Sequence, residues 1–468
     1  MKEKFINQYP INVDFDFAHT TSLKHHPSVF PIWPESLFLQ SNWPVEGAFM
    51  ELEFTGWRDE SLAKHNTCAV SNSLSPAPPV HIIKGPEALK FFSEHLVNSF
   101  AKFQIGTGKH AIMCNDDGNI IMQGVLYRLG EEEFEANTLM TLPYVVETCG
   151  KKYDMTLEDV TSNRFLLQTS GLRTLELIEE LTGDDFHDLK FCHFRMSTID
   201  GMPVRIYRFG MSGCLGYEIS GDVQYASEVY RRVIEVGNKY GIRRMGGRAY
   251  IMNHTPGGFL QYGNHYQNAL MDDKNYVDAM TKKNGQCEIG LPVIGSFDGS
   301  HKELFANPIE YGCANVVKFD HDFPGRAALE KIAANPRKKM VTLEWNEEDL
   351  AVVYASQFRD EDAYQPMDYP VDKHFTGSMG LSADKVLDES GKMIGVSTHR
   401  TYDVFYHKML SLCAIDLAYS EIGTEVTIVW GNPEFRQKKI RAKVSRFPYN
   451  NHYDNRTFDT NTIPRLNK

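Results

Sequence analysis

Apolar positions recur at helical spacing in three stretches of the chain. After Gly85-Pro86, the residues Leu89, Phe92, Leu96 and Phe100 form a row near the 3.6-residue period, with proline at a tolerated first-turn position, so an amphipathic helix is predicted. Ser170-Gly171 opens a second helix with Leu172, Leu175, Ile178 and Leu181 on one face and Gly183 placed to end it. Asp222 is the expected cap of a third, through Ala226, Val229, Tyr230 and Val233. Between these rows the pattern shortens to apolar runs bounded by turn residues. Asp116-Asp117-Gly118-Asn119 separates Ala111-Ile112-Met113 from Ile120 to Tyr127, the signature of a hairpin whose second strand is largely buried. Phe165-Leu166-Leu167 reads as a strand, and Val204 to Arg208 and Gly216 to Ser220 read as a pair. From Arg326 a short helix leads into strands at Met340 to Trp345, Val426 to Trp430 and Ile440 to Val444, which predicts a C-terminal β domain. Hairpins alternating with single helices give α+β layers, with no internal repeat.

The first 80 residues follow no such period. They are rich in aromatics and prolines and end in Ser73-Leu74-Ser75-Pro76-Ala77-Pro78-Pro79, which argues against one regular helix or a central strand. Val29, Phe30, Trp33, Trp43 and Trp57 are too dense for disorder, so an ordered, wrapped arm is expected, lining a pocket.

Composition narrows the function more than the fold. The 468 residues allow two to four domains at roughly 100–200 residues each. Against 49 basic side chains stand 61 acidic ones, a net charge of −12, which disfavours a binder of nucleic acid or of an anionic membrane. No run approaches the ~20 apolar residues of a membrane span, and Met1-Lys2-Glu3-Lys4-Phe5-Ile6 has no apolar core of a signal peptide. A cytoplasmic protein, monomeric or homodimeric, is expected. The eight cysteines are scattered, no two closer than Cys192 and Cys214, so reduced structural thiols are expected. The 17 histidines contain no HExxH pattern, and no catalytic metal is predicted. Gly210, Gly213 and Gly216 are spaced by threes, which does not make a dinucleotide turn, and no phosphate-loop pattern occurs.

More specific signals lie in ordered segments. Tyr311-Gly312, then Val317-Lys318-Phe319-Asp320-His321-Asp322-Phe323-Pro324-Gly325-Arg326-Ala327-Ala328-Leu329, resembles the VKxxxxFxGRxAL stretch of the aminomethyltransferase family, whose type member is the glycine-cleavage T-protein. Leu166-Leu167-Gln168-Thr169-Ser170-Gly171 is similar to that family's LQGP strand-to-helix corner, and Gly213-Cys214-Leu215-Gly216-Tyr217-Glu218-Ile219 to its GxxGxEI folate segment. Gly246-Gly247-Arg248-Ala249-Tyr250 and Gly257-Gly258-Phe259 occupy the place of its GxRAxxxxRxExG segment, and Gly391 to Val396 through Gly423 to Val426 resembles its C-terminal barrel. The resemblance covers about residues 85–445. Within the family it is nearest to the tetrahydrofolate-dependent aryl O-demethylases of the vanillate/3-O-methylgallate type, through Tyr127 to Phe134, Leu189-Lys190-Phe191 with Asp200-Gly201-Met202, Lys318 to Phe323, Arg337-Lys338-Lys339 with Val341-Thr342-Leu343, and Tyr354-Ala355-Ser356.

The resemblance implies an α+β, three-domain, aminomethyltransferase-like folate-binding fold around a central cavity. Residues 1–84 would form the arm and the start of domain 1, 85–160 the first part of domain 2, 161–245 the rest of domain 1, 246–325 the rest of domain 2, and 326–468 the C-terminal β-barrel. It also implies tetrahydrofolate as cofactor and a methyl group moved from a small methoxylated aromatic, in aromatic catabolism such as that of lignin-derived compounds, to N5 of the folate. A phenolate leaves poorly, so its oxygen needs a hydrogen-bond or proton donor. Tyr250 is the expected catalytic donor by resemblance; a tyrosine merely packed after a strand is the alternative. Glu218 is the expected acceptor for the pterin N–H groups, a match that a neutral side chain makes less well. Phe259 either packs on the folate or belongs to the core, and Arg248 either pairs with a folate carboxylate or forms a structural ion pair. Tyr217 and Tyr127 line the cavity or, the favoured reading, pack in their strands.

Some positions depart from the family. Met122-Gln123-Gly124 stands where the type family has a catalytic aspartate, which disfavours aminomethyl transfer and leaves Gln123 to hydrogen-bond pterin or substrate. Glu135-Ala136-Asn137-Thr138-Leu139 lacks the arginine that vanillate-type enzymes set near the substrate carboxylate. The alternatives are a different folate-dependent one-carbon enzyme of the same fold, an S-demethylase or a formaldehyde-releasing lyase, and a non-catalytic folate-binding regulatory protein.

Overall fold

The computed structural model describes residues 38–41, 49–72, 79–139, 141–284, 292–359, 362–372 and 381–466. Val29, Phe30, Trp33, Trp43 and residues 73–78 of the expected arm lie outside them. The chain divides into two compact units, each discontinuous in sequence. The first takes its described residues from Met1–His81, Asp159–Asn253 and His452–Lys468, the second from Ile82–Glu158 and His254–Asn451.

The first unit is built on a six-stranded sheet in the order Phe194–Ile199, Met202–Tyr207, Gly216–Asp222, Arg164–Ser170, Cys68–Ser71, Ile242–Arg244. All pairings are antiparallel except the last, which is parallel. The proline content predicts no central strand in the first 80 residues, yet Cys68–Ser71 lies inside this sheet with all four residues buried. None of the prolines falls within it: the nearest are Pro44 before it and Pro76, Pro78 and Pro79 after it, so its ladder N–H groups stay intact. Helices Thr174–Thr182 and Ala226–Gly237 cover one face, where Leu175, Ile178, Val229, Tyr230 and Val233 pack on Phe165, Leu167, Tyr217 and Ile219. Each such side chain contributes roughly 1.5–3 kcal/mol by leaving water. Helix Thr174–Thr182 begins later than Ser170-Gly171 suggests. Gly171 has φ +117°, and a Cβ there would stand 2.6 Å from the Thr67 carbonyl oxygen, so the chain turns before the helix can start. Gly183, at φ 76°, ends it as expected. Asp222 caps a 3₁₀ turn, Val223–Tyr225, that runs into Ala226–Gly237.

In the second unit a five-stranded sheet has the order Thr107–Cys114, Ile120–Arg128, Glu133–Asn137, Val80–Lys84, Thr156–Asp159, and the expected hairpin forms its first pair. The helix predicted from Leu89 to Phe100 is Ala88–His95. Leu96 is already extended and bridges Met113, so Phe92 and Leu96 share one core without sharing one helix. The C-terminal β domain is a closed six-stranded barrel of Lys338–Trp345, Leu381–Leu387, Met393–Asp403, Lys408–Asp416, Glu425–Trp430 and Lys438–Ser445, sealed by pairing of Leu381–Leu387 with Glu425–Trp430. Its interior holds Leu343, Trp345, Val386, Ile428, Trp430 and Ile440. Closure removes the exposed edges of an open sheet. Among the described residues no helix is long and apolar enough to cross a membrane.

Candidate functional site

Strand Gly216–Asp222 alternates as a half-covered strand must. Tyr217 and Ile219 enter the core beneath the helices, and Glu218 projects from the other face. The register places Glu218 beside Tyr207 on one neighbouring strand and Gln168 on the other. Gln168 donates from Nε2 to Glu218 Oε1 at 3.2 Å and accepts from the Met211 backbone N–H at 3.4 Å. The Tyr250 hydroxyl in turn lies 3.5 Å from Met211 Sδ. Glu218, Gln168, Met211 and Tyr250 are thus neighbours in the first unit, Met211 meeting Gln168 through its backbone N–H and Tyr250 through its sulfur. Tyr217 and Glu218, both expected at one ligand, stand on opposite faces of the sheet.

Glu218 is only 4 % exposed. Burying a carboxylate costs several kcal/mol unless it is hydrogen-bonded, and Gln168 donates to one of its oxygens. Burial first, and the charge of Glu218 second, hold the Tyr250 phenol well above its ordinary value, so it stays protonated across the physiological range. Tyr250 sits on helix Gly247–Met252, seated through Gly246. The Gly246 N–H donates to Glu60 Oε2 at 2.8 Å, and a Cβ at Gly246 would come 2.2 Å from the Leu52 carbonyl oxygen, so this close approach requires glycine. Two residues before Tyr250, and so turned away from it, Arg248 pairs through Nη1 with the buried Glu53 at 2.7 Å. The structural ion pair among its two readings is therefore present.

The second unit holds the other expected residues. Gln123, on the strand facing Thr107–Cys114, donates from Nε2 to the Leu260 carbonyl at 2.7 Å and to the Tyr266 hydroxyl at 2.8 Å. Its Oε1 meets His110 Nε2 at 3.0 Å. Because the Leu260 carbonyl can only accept, the amide orientation is determined and His110 Nε2 must carry a proton. Burial lowers the His110 pKa, which leaves the ring neutral with Nδ1 as its acceptor. Phe259 lies over His110, ring centroids 6.1 Å apart and 27° between planes, and edge-on to His254 at 5.7 Å. It is half-buried.

Sequence reasoning passed over Gln168, Met211 and His110 as site residues. Gln168 becomes visible once Gly216–Asp222 is paired with Arg164–Ser170. His110 and Gln123 are polar interruptions of apolar strand faces, a signal that was present. Among the described residues one group, Glu179, Asp185 and His187, brings metal-type ligand atoms together. His187 Nδ1 is 2.8 Å from Glu179 Oε1 and Nε2 is 3.0 Å from the Ile463 carbonyl oxygen, so both ring nitrogens are engaged within the fold.

The model of the GCVT N-terminal domain matches residues 43–282. The chain is 37 % identical over 429 residues to a sesamin methylene transferase of Sinomonas sp., an alignment covering 89 % of this chain and 94 % of the relative. It is 28 % identical over 424 residues to a syringate O-demethylase of Sphingobium sp., covering 85 % and 89 %. An aminomethyltransferase of Thermotoga petrophila is 24 % identical over 275 residues, 58 % of this chain and 65 % of the relative. Among solved structures, the glycine cleavage system aminomethyltransferase T of Bartonella henselae superposes with a TM-score of 0.64 at 18 % identity, covering 89 % of this chain and 95 % of that one, and shows the same fold.

Proposed function

Because this chain belongs to the GCVT family, we propose that it is a tetrahydrofolate-dependent O-demethylase, taking the methyl group of a methoxylated aromatic compound to N5 of tetrahydrofolate. The reaction balances as aryl methyl ether plus N5–H giving phenol plus N5–CH₃. The observation that carries the reading is the buried group of Glu218, Gln168, Met211 and Tyr250, which sets a carboxylate acceptor near a protonated phenol. The residue types fit the cofactor: a pterin presents adjacent N–H groups, and a buried carboxylate is their complement. Tetrahydrofolate, when bound, supplies the nitrogen that receives the carbon. Glu218 orients it, and Tyr250 holds its proton ready for the ether oxygen. Gln123, with its amide spent on Leu260, Tyr266 and His110, is committed within the second unit.

A second reading is favoured by the 37 % identity to a protein named for methylene transfer. A methylene held between two aryl oxygens would pass to N5 and N10 together, their two hydrogens going to the two released oxygens. Incubation of the protein with tetrahydrofolate and a panel of methoxyarenes and methylenedioxyarenes tests both. 5-Methyltetrahydrofolate with a phenol supports the first, and 5,10-methylenetetrahydrofolate with a catechol the second. Tight folate binding with no one-carbon product from any donor would leave a folate-binding protein without transfer activity.

A further inference from the structure

Lys64 lies on helix Trp57–Asn66, is 2 % exposed, and has one hydrogen-bond partner, the neutral Asn253 Oδ1 at 2.5 Å from its Nζ. Among the described residues no carboxylate stands within ion-pair distance of it. Glu60, one turn earlier on the same helix, turns its oxygens to four backbone N–H groups, those of Phe54, Thr55, Gly56 and Gly246. His65 beside it is no counter-charge: burial, then Lys64 and His452, push its pKa down to about 2. Asn253 closes helix Gly247–Met252, whose carbonyl end supplies only about half a negative charge. An ammonium has three N–H donors, and one is used here. A buried cation in this condition is unfavourable in the protein alone and becomes favourable when an anion arrives.

Its position gives the anion an identity. Asn253 follows Tyr250 by three residues and keeps helical dihedrals, φ −69° and ψ −23°, so their Cβ atoms are neighbours on the helix surface and Lys64, bonded to Asn253, is anchored within one turn of Tyr250. On the reading above, Tyr250 is the hydrogen-bond donor to the ether oxygen. Tyr250, made a weaker acid by burial and Glu218, stabilises a departing aryl oxide poorly by itself.

We propose that Lys64 is the counter-ion of an anionic oxygen on the aromatic substrate, either a ring carboxylate or the aryl oxide released as the carbon leaves. This rests on the aryl O-demethylase reading, and the test separates the two. Lys64→Met and Lys64→Arg are prepared in the full chain and compared with the unaltered protein. Thermal unfolding comes first: Lys64→Met melts at or above the parent temperature, because an unpaired buried charge has been replaced by a side chain of similar length. Binding of para-methoxybenzoate and of para-nitrophenolate is then measured by calorimetry, which needs no turnover. Lys64→Met weakens one of them by roughly 10–100-fold, the expected worth of a hydrogen bond to a charged group, and Lys64→Arg recovers part of it. Loss confined to para-methoxybenzoate, with KM raised and kcat kept, assigns the carboxylate. Loss confined to para-nitrophenolate, with kcat lowered most for the most basic leaving phenols, assigns the aryl oxide. Unchanged affinity for both probes, or a lower melting temperature with unchanged affinity, overturns the proposal and makes Lys64 structural. If the parent binds a probe through Lys64 but forms no one-carbon product, the O-demethylase reading fails while Lys64 stands as an anion site.

Discussion

In the first unit two charged side chains are buried, Glu218 at 4 % and Lys64 at 2 % exposure, and each meets a neutral amide, Gln168 or Asn253. In the second, Gln123 is neutral, half-exposed, and has both amide hydrogens and its oxygen committed to Leu260, Tyr266 and His110. A buried charge costs stability that a protein recovers when a ligand arrives. A fully hydrogen-bonded amide recovers its desolvation within the fold. On the proposed function, the contrast separates residues that would meet a ligand from residues committed within the fold, although the family resemblance brings Gln123 and Glu218 forward together.

Four substitutions test the contrast. Tyr250→Phe should lower turnover by about 10²–10⁴-fold, the usual worth of a positioned proton donor, with tetrahydrofolate affinity almost unchanged. Equal turnover would remove Tyr250 from the chemistry. Arg248→Ala leaves the buried Glu53 without its cation and should cost about 2–3 kcal/mol of stability in denaturant unfolding, less than a fully buried pair because Arg248 is partly exposed. Weakened folate binding at unchanged stability would instead make Arg248 a ligand residue. For Glu218→Gln, folate affinity should fall by about 1.5–3 kcal/mol, roughly 10–100-fold in a fluorescence titration, and an unaltered dissociation constant would contradict its assignment. Gln123→Leu strands the Leu260 carbonyl and His110, so about 1–2 kcal/mol of stability should be lost while folate affinity moves only a few-fold. A large loss of affinity in a stable Gln123→Leu protein would erase the difference between the two units.

Local pattern was enough for the hairpin Thr107–Cys114 with Ile120–Arg128, because its turn residues and apolar strands are contiguous. It was enough for the end of helix Thr174–Thr182, where Gly183 supplies the left-handed dihedrals. It failed at Leu96, where period alone continued a helix that the sheet interrupts, and at Cys68–Ser71, where prolines beyond the strand obscured it. Glu218 and Tyr250 were singled out through resemblance, because short motifs carry them. The facing of Tyr217 away from Glu218 follows from a two-residue period that the motif does not express.

By itself, the sequence determined the α+β class, the β-rich C-terminal region and the family, since turn chemistry, apolar period and motif order act over short stretches of chain. Only the tertiary structure decided which polar groups meet. Gln168 reaches Glu218 across 50 positions and Lys64 reaches Asn253 across 189, and neither separation leaves a local trace. Whether a charge is buried or solvated depends on what the rest of the chain packs around it, and here that separates Lys64 from an ordinary surface lysine.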